Sequence, residues 1–368
     1  MSRYDRRITR LIALVLLSSM STQLIVAQDV TIIWHNAAEL TISGQAFDQT
    51  ENRYSRLPER YRSDVRPAVW ELSGHSAGLA VAFSSDATHL RVRWQVRHDT
   101  KFSHMTAIGI KGLDLYLKDD QSRWRWAATA RPSGVSSEYR LLTHTERRFR
   151  DYLLYLPLYD GIESLMIGVD SSAIVRPGPL PFGKAKPLVF YGTSITQGCS
   201  ASRPGMTYPA IIGRQLMRET LNFGFSGNGR MEMALASIIG TIPAEIYIID
   251  CLPNCTPDEV KQNSLPFVKE LRRLNPAARI ILVENIPYAD EWYDPAKASL
   301  CKAKNAYLKE AYDQLRKEGF RNLYYLERNS LIGQDDEATI DGAHLTDIGM
   351  QRLADALLKK IKPLLKSH

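Results

Sequence analysis

The sequence predicts an α/β protein with a parallel sheet, preceded by an all-β region, and three observations predict it. Residues from about 29 to 175 alternate apolar and polar residues in short runs separated by turn signals. Residues 176–187, Arg-Pro-Gly-Pro-Leu-Pro-Phe-Gly-Lys-Ala-Lys-Pro, form a Pro/Gly-rich connection. Beyond it, short apolar strands alternate with helical stretches, which is the pattern of a parallel sheet covered on both faces. A chain of 368 residues favours two domains. The expected division is a β-sandwich over 28–175, a linker over 176–187 and the α/β part over 188–368.

In the first region Leu79–Val96 reads as strand, with Leu90, Val92, Trp94 and Val96 on one face. Ile108–Leu117, Trp124–Ala128, Asp151–Leu156 and Ile162–Val169 continue the pattern. Asp119-Asp120, Pro132-Ser133-Gly134 and Asp160-Gly161 punctuate it, and no long helix interrupts, so a sandwich or jelly roll is expected. In the second region Leu188–Tyr191 is the first strand, and Pro209 suits the opening of a helix at Tyr208. Ala244–Asp250 is a strand, and Thr256-Pro-Asp-Glu259 is a capping box ahead of a helix to about Leu274. Arg279–Asn285, a helix from Pro295 to Lys317 stopped by Gly319, the strand Leu323–Leu326 and a helix from Asp347 to about Leu365 complete the alternation. In such sheets reactive groups gather beyond the carboxyl ends of the strands.

Hydrophobic content of 44% and charged content of 24% are those of a globular chain able to bury a core. Arg3, Arg6, Arg7 and Arg10, the apolar run from Leu11 and the small residue Ala27 read as a signal peptide cleaved before Gln28. Ser18, Ser19, Ser21 and Thr22 interrupt that run and disfavour a permanent membrane span, and no Cys stands near the cleavage point to take a lipid. No later stretch reaches the ~20 apolar residues of a spanning helix. Export to the periplasm or the medium is therefore expected. Removing the leader lowers the formal charge from +7 to +4, with 43 basic and 39 acidic residues left, which excludes the electrostatic footprint of a nucleic-acid binder. Cys199, Cys251, Cys255 and Cys301 all lie in the second half, where export permits a disulfide. The Cys251–Cys255 spacing lacks a second Cys pair or a nearby His, so a zinc or other metal site is not expected.

Four positions carry chemistry. Ser194, in Gly192-Thr-Ser194-Ile-Thr196, follows the first strand of the α/β half and could expose its hydroxyl as a nucleophile; an ordinary turn has the same form. Of eight histidines, six precede residue 145 and one is the last residue, which leaves His344 as the candidate base. Asp341, three residues earlier, could orient and stabilise that imidazole, although a capping pair looks the same. Gly227, closing Asn222-Phe-Gly-Phe-Ser-Gly227, could bring a backbone N–H to a substrate oxygen, and Asn254 could add a side-chain amide. Taken singly, Gly227 reads equally as a helix-start glycine and Asn254 as part of a turn.

The order Ser194, Gly227, Asn254, His344 resembles the SGNH branch of the GDSL lipase/esterase family over roughly residues 187–365. That resemblance implies a three-layer α/β/α fold and cofactor-free hydrolysis of an acyl ester. It also implies an oxyanion hole formed by the N–H groups of Ser194 and Gly227 and the Asn254 side chain. Two departures stand out: Thr193 replaces the family's usual Asp, and Leu-Pro-Asn254-Cys lacks the usual leading Gly and trailing Asp. In the first half, Gly112-Leu-Asp-Leu-Tyr116 resembles the signature of a bacterial β-sandwich domain found ahead of GDSL-type hydrolases. Its residues alternate along a strand and are assigned no catalysis. The export signal, the sandwich and the lack of a long apolar lid favour a small acyl group, best acetyl, on a polysaccharide. Trp70, Trp94, Trp124 and Trp126 would stack on sugars if exposed and fill the core if not. A lipid or phospholipid esterase is the enzymatic alternative, and a carbohydrate-binding protein on an inactive hydrolase scaffold is the non-enzymatic one.

Overall fold

Period-two burial folds the first half into two antiparallel sheets. The computed structural model describes residues 30–48 and 52–366, so the expected leader at 1–27 lies outside the described residues. One sheet sets β1 (Ile32–Asn36), β9 (Ile162–Asp170), β4 (Leu90–Val96) and β7 (Ser136–Leu142) side by side. The other runs β10 (Val175–Pro177), β3 (Ala80–Ser85), β8 (Arg150–Tyr155), β5 (Leu113–Lys118) and β6 (Trp124–Ala130), with β2 (Thr41–Ser43) also paired to β3. Leu90, Val92, Trp94 and Val96 of β4 point inward against Val81, Phe83, Leu115 and Leu154 of the facing sheet. Strand β3 is buried along its whole length, because its other face packs Ala80 and Ala82 beside Tyr155 and Ala210. A sheet covered on both faces is a mechanical link to the second half rather than an appendage.

Two short helices interrupt this half, α1 (Pro67–Ser73) and α2 (Ala107–Lys111). The second corrects the expectation of a strand over Ile108–Leu117, since only Leu113 onward is strand. Ile108 and Ile110 mimic a strand period, but the Thr106 side chain accepts from the Gly109 N–H and starts a helical turn that Gly112 ends.

In the second half β11 (Leu188–Gly192), β12 (Thr220–Gly224), β13 (Ile246–Asp250), β14 (Arg279–Val283) and β15 (Leu323–Leu326) form a parallel sheet in the order β12-β11-β13-β14-β15. Its helices are α3 (Ser194–Gln197), α4 (Tyr208–Leu216), α5 (Met233–Ile239), α6 (Pro257–Leu274), α7 (Pro295–Lys317) and α8 (Asp347–Lys366). Phe190, Ile248 and Ile281 face α4 and α8 through Tyr208, Ile211, Leu353 and Leu357. Tyr191, Tyr247 and Ile249 face α5, α6 and α7 through Leu235, Phe267, Leu271 and Leu308. This is a three-layer α/β/α sandwich. The Thr256–Glu259 capping box opens α6 with both of its reciprocal bonds formed.

Because β11 is followed by β12 on one side and flanked by β13 on the other, the strand order reverses at β11 and opens a crevice at its carboxyl end. Among the described residues, those from Ile33 onward form one compact unit. Among the described residues no helix is long and apolar enough to cross a membrane. The four cysteines are buried free thiols.

Candidate active site

Strand β11 delivers Ser194 to the crevice as the first residue of α3, with the Thr193 side chain accepting from the Ile195 N–H to cap that turn. The hydroxyl Oγ of Ser194 lies 2.9 Å from Nε2 of His344. On the far side of the ring, Nδ1 of His344 lies 2.7 Å from Oδ2 of Asp341. The other oxygen of Asp341 accepts from the N–H groups of Ala343 and His344 at 3.1 and 2.8 Å. One carboxylate thus fixes both the loop and the imbedded ring. A small hairpin supports it, with Thr339 bridged to Leu345, the Ile340 N–H donating to the His344 carbonyl at 2.9 Å and Gly342 at φ +88°. Only glycine takes that backbone angle freely.

The loops after β12 and β13 reach the same place. Gly227 follows β12 at φ +69°, and the neighbouring Ser226 N–H donates to Oε1 of Gln197 in α3 at 3.0 Å. The Asn254 amide, at the end of the loop after β13, donates to the Phe225 carbonyl at 3.3 Å. Gly224 and Gly229 permit the close approach, because a Cβ at either would overlap the backbone of Gln197 or Gly192. The structure therefore brings Ser194, Gly227, Asn254, Asp341 and His344 to one edge of the sheet, linked through Gln197 and Phe225.

Charge at this edge is tuned by neighbours. Contact with the Cys199 thiol, opposed by burial and reinforced by Asp341, pushes His344 up to about 9. Burial alone would raise the Asp341 carboxyl, but its bonds to the His344 N–H and imidazole hold it below the ordinary carboxylate range. Beneath the site, burial lifts Asp250 to about 6; it accepts from the Tyr208 hydroxyl at 3.1 Å, which in turn meets Thr196 of α3 at 2.9 Å.

The first half contributes residues that sequence reasoning missed. His104 stacks on His344 with ring centroids 5.4 Å apart, and Phe102 packs beside His104 at 5.7 Å. The Gln197 amide donates to the Leu158 carbonyl at 2.9 Å and lies 3.1 Å from Nδ1 of His75, whose burial pushes it down to about 3 and keeps it a neutral acceptor. Arg56, buried, donates to the carbonyls of Asn222 and Gly224 at the end of β12 and of Leu72 and His75 in its own half. Asp114 of the Gly-Leu-Asp-Leu-Tyr run is fully buried. It accepts from the Arg203 guanidinium at 2.6 Å and the Gly205 N–H at 2.8 Å, pinning the loop that follows α3. No local pattern marks His104 or Arg56 for these places, because each acts across the chain.

Of the four tryptophans expected to stack on sugars or fill the core, Trp94 and Trp124 are buried in the core and Trp70 is half-buried. Trp126 is exposed, with its indole N–H given to Asp114 at 3.1 Å. The aromatic surface lies elsewhere: Trp292 and Tyr293, 80% and 63% exposed, form an edge-to-face pair on the loop after β14. That loop touches the His344 hairpin through the Ala289 N–H and the Gly342 carbonyl at 3.0 Å.

Comparison with known proteins agrees with this geometry. A family model of GDSL-like lipases/acylhydrolases matches residues 185–362, and one for the N-terminus of SGNH-hydrolase-type esterases, named GxDLY, matches residues 32–175. No curated protein matches the chain in sequence. Among solved structures, a GDSL-like lipase from Bacteroides ovatus is 35% identical, covers 91% of this chain and 98% of its own, and superposes with a TM-score of 0.88. A salicylyl-acyltransferase from a tetracycline biosynthetic pathway is 16% identical over 92% of this chain and 99% of its own, at 0.74. An acetyl xylan esterase from the rumen bacterium Butyrivibrio proteoclasticus is 11% identical over 91% of this chain and 99% of its own, at 0.59. The last two share the fold. Given a relative this similar over almost its entire length and a family model spanning the α/β half, the chain belongs to the GDSL-like lipase/acylhydrolase family and is a carboxylic ester hydrolase.

Proposed function

We propose that this hydrolase removes a small acyl group, acetyl above all, from a carbohydrate, with Ser194 as nucleophile, His344 as base and Asp341 as the orienting acid. The observation that carries the reading is the hydrogen-bonded line from Asp341 through His344 to Ser194, 2.7 and 2.9 Å per step. His344 Nε2 takes the hydroxyl proton as Ser194 Oγ attacks the ester carbonyl. The carbonyl oxygen, now an anion, accepts from the N–H groups of Ser194 and Gly227 and from the Asn254 amide, which exchanges its long bond to Phe225 for the stronger charged one. His344 returns the proton to the departing sugar hydroxyl. A water molecule then attacks the acyl-enzyme, gives its proton to His344, and frees the acid and Ser194.

The carbohydrate side of the proposal is supported by the exposed Trp292–Tyr293 pair beside the His344 hairpin, since flat aromatic faces stack on sugar rings. Export of a chain starting near Gln28 and the division at 176–187 belong to the same proposal. A lipid ester is the competing substrate, and the 35% identity to a GDSL-like lipase favours it. An acyl chain-length series on p-nitrophenyl esters, together with acetate release from acetylated xylan, separates the two. Preference for acetyl and release from xylan support the glycan reading; preference for chains of roughly eight carbons or more, where each added buried CH₂ brings about 0.8 kcal/mol, overturns it.

A further inference from the structure

We infer that His104, Cys199 and His344 form a transition-metal site of the zinc class, and that a metal bound there blocks the esterase. One ligand atom from each, two imidazole nitrogens and one thiol sulfur, lie within 4.8 Å of one another. A tetrahedral zinc with Zn–N of about 2.0–2.1 Å and Zn–S of about 2.3 Å sets its ligands roughly 3.3–3.7 Å apart. Inward movement of about 1 Å therefore completes the site, and two half-buried imidazoles can supply it by small rotations.

The backbone already holds the three together. The chain leaves α3 through Gly198 at φ +114°, and the Cys199 N–H donates to the Ser194 carbonyl at 2.8 Å. The next residue, Ser200, donates its hydroxyl to the carbonyl of His104 at 3.0 Å. His104 in turn stacks on His344. A carboxylate on the far nitrogen of a ligating histidine fixes its tautomer and raises its basicity, and Asp341 stands there at 2.7 Å from Nδ1. The donor set is nitrogen and sulfur without oxygen, which selects zinc, cobalt or copper over magnesium and calcium. Binding converts the Cys199 thiol to thiolate and needs both imidazoles neutral, so the thiol proton and any proton on the ligating nitrogens are released to water.

Metal binding stands on this geometry alone; the inhibition also rests on the reading of His344 as the base, because the metal would occupy Nε2, the lone pair that receives the Ser194 proton. Three protein ligands leave a fourth position for water or for Ser194 Oγ.

The test uses the full chain carrying Ser194→Ala, which keeps all three ligands, titrated with Co²⁺. The expected result is one equivalent bound, with visible d–d bands and a near-ultraviolet sulfur-to-cobalt band that Cys199→Ser abolishes. His104→Ala removes a ligand and should weaken binding by more than the roughly 10- to 100-fold that loss of an outer-shell partner costs. In parallel, Zn²⁺ should inhibit the wild-type esterase, EDTA should restore it, and His104→Ala should need more Zn²⁺ by the same factor as its loss of affinity, relative to its own metal-free rate. Absence of the sulfur-to-cobalt band, or a band that survives Cys199→Ser, overturns the site. Bound cobalt without zinc inhibition upholds the site but overturns the inhibition, and with it the reading of His344 as base. Should Cys199→Ser fail to fold, the His104→Ala titration decides alone.

Discussion

The carboxyl edge of the parallel sheet and the loops of the sandwich meet at Ser194, but they contribute in different ways. The α/β half presents groups that can move a proton or meet an anion: a hydroxyl, an imidazole backed by a carboxylate, a left-handed glycine and an amide. The sandwich half presents clamps. Arg56 holds the carbonyls at the end of β12, Asp114 holds the loop at Arg203 and Gly205, and His75 sits against the Gln197 side chain that ties α3 to the Gly227 loop. His104 is the exception, a chemically capable group of the sandwich half set directly on the candidate base. The candidate chemistry is concentrated where the strand order reverses, while the clamps come from the sandwich half, mostly from its loops. Substitutions in the two halves should therefore separate into losses of rate and losses of stability.

The largest expected effect is on rate. Ser194→Ala should lower kcat by about 10⁴–10⁶ while leaving the thermal midpoint near that of wild type, measured by p-nitrophenyl acetate hydrolysis and calorimetry. A matching loss of stability would blur the comparison. The largest effect on stability should come from the other half. Asp114→Ala strands the Arg203 guanidinium against a buried face and should cost about 3–5 kcal/mol in chemical denaturation, with kcat falling less than for any α/β site variant. Asn254→Ala should follow, lowering kcat by roughly 10²–10³ with little change in KM; a change within about threefold would remove Asn254 from the oxyanion hole.

The smallest effect is on pH dependence, and there the two readouts should run in opposite directions. The base must be neutral to accept a proton, and His344 is held up to about 9, so kcat/KM should climb with pH until that value is passed. A folded-state pKa raised above the unfolded one stabilises the protein fully below the unfolded value, near 6.5, and that stabilisation is lost as pH rises through about 9. The His344 contribution to the thermal midpoint should therefore decline over the window in which the rate rises. His344→Gln, which cannot titrate, isolates it by difference. An acidic limb of kcat/KM near the ordinary histidine value would mean that Cys199 and Asp341 do not govern the ring.

Much of this fold can be read along the chain, because its strongest signals are local. The capping box at Thr256–Glu259 and the long amphipathic stretch from Pro295 to Lys317 mark helices whose bounds match the structure. The run Ile108–Leu117 misleads because two isoleucines two apart satisfy a strand period, and the competing signal, a Thr106 cap, is a single side chain. β7 escapes notice because Ser136–Leu142 is polar and mostly open to solvent, with the weak alternation that follows. α5 escapes because Met-Ala-Leu-Ala-Ser-Ile-Ile is a short apolar run without a polar face to betray its period. The same division holds at the site. Ser194, Gly227, Asn254 and His344 can be picked out because each follows a strand in chain order, whereas His104, Cys199 and Arg56 acquire meaning only through contacts made across the fold.

The central claim, that Ser194 is the activated nucleophile, is tested most directly by covalent trapping. The chain from Gln28 onward would be exposed to a serine-directed fluorophosphonate and its intact mass and peptides mapped. The account predicts a single adduct on the Ser194 peptide, no adduct in Ser194→Ala, and much slower labelling in His344→Ala. An adduct on another residue, or labelling of Ser194 that proceeds equally fast without His344, would contradict it.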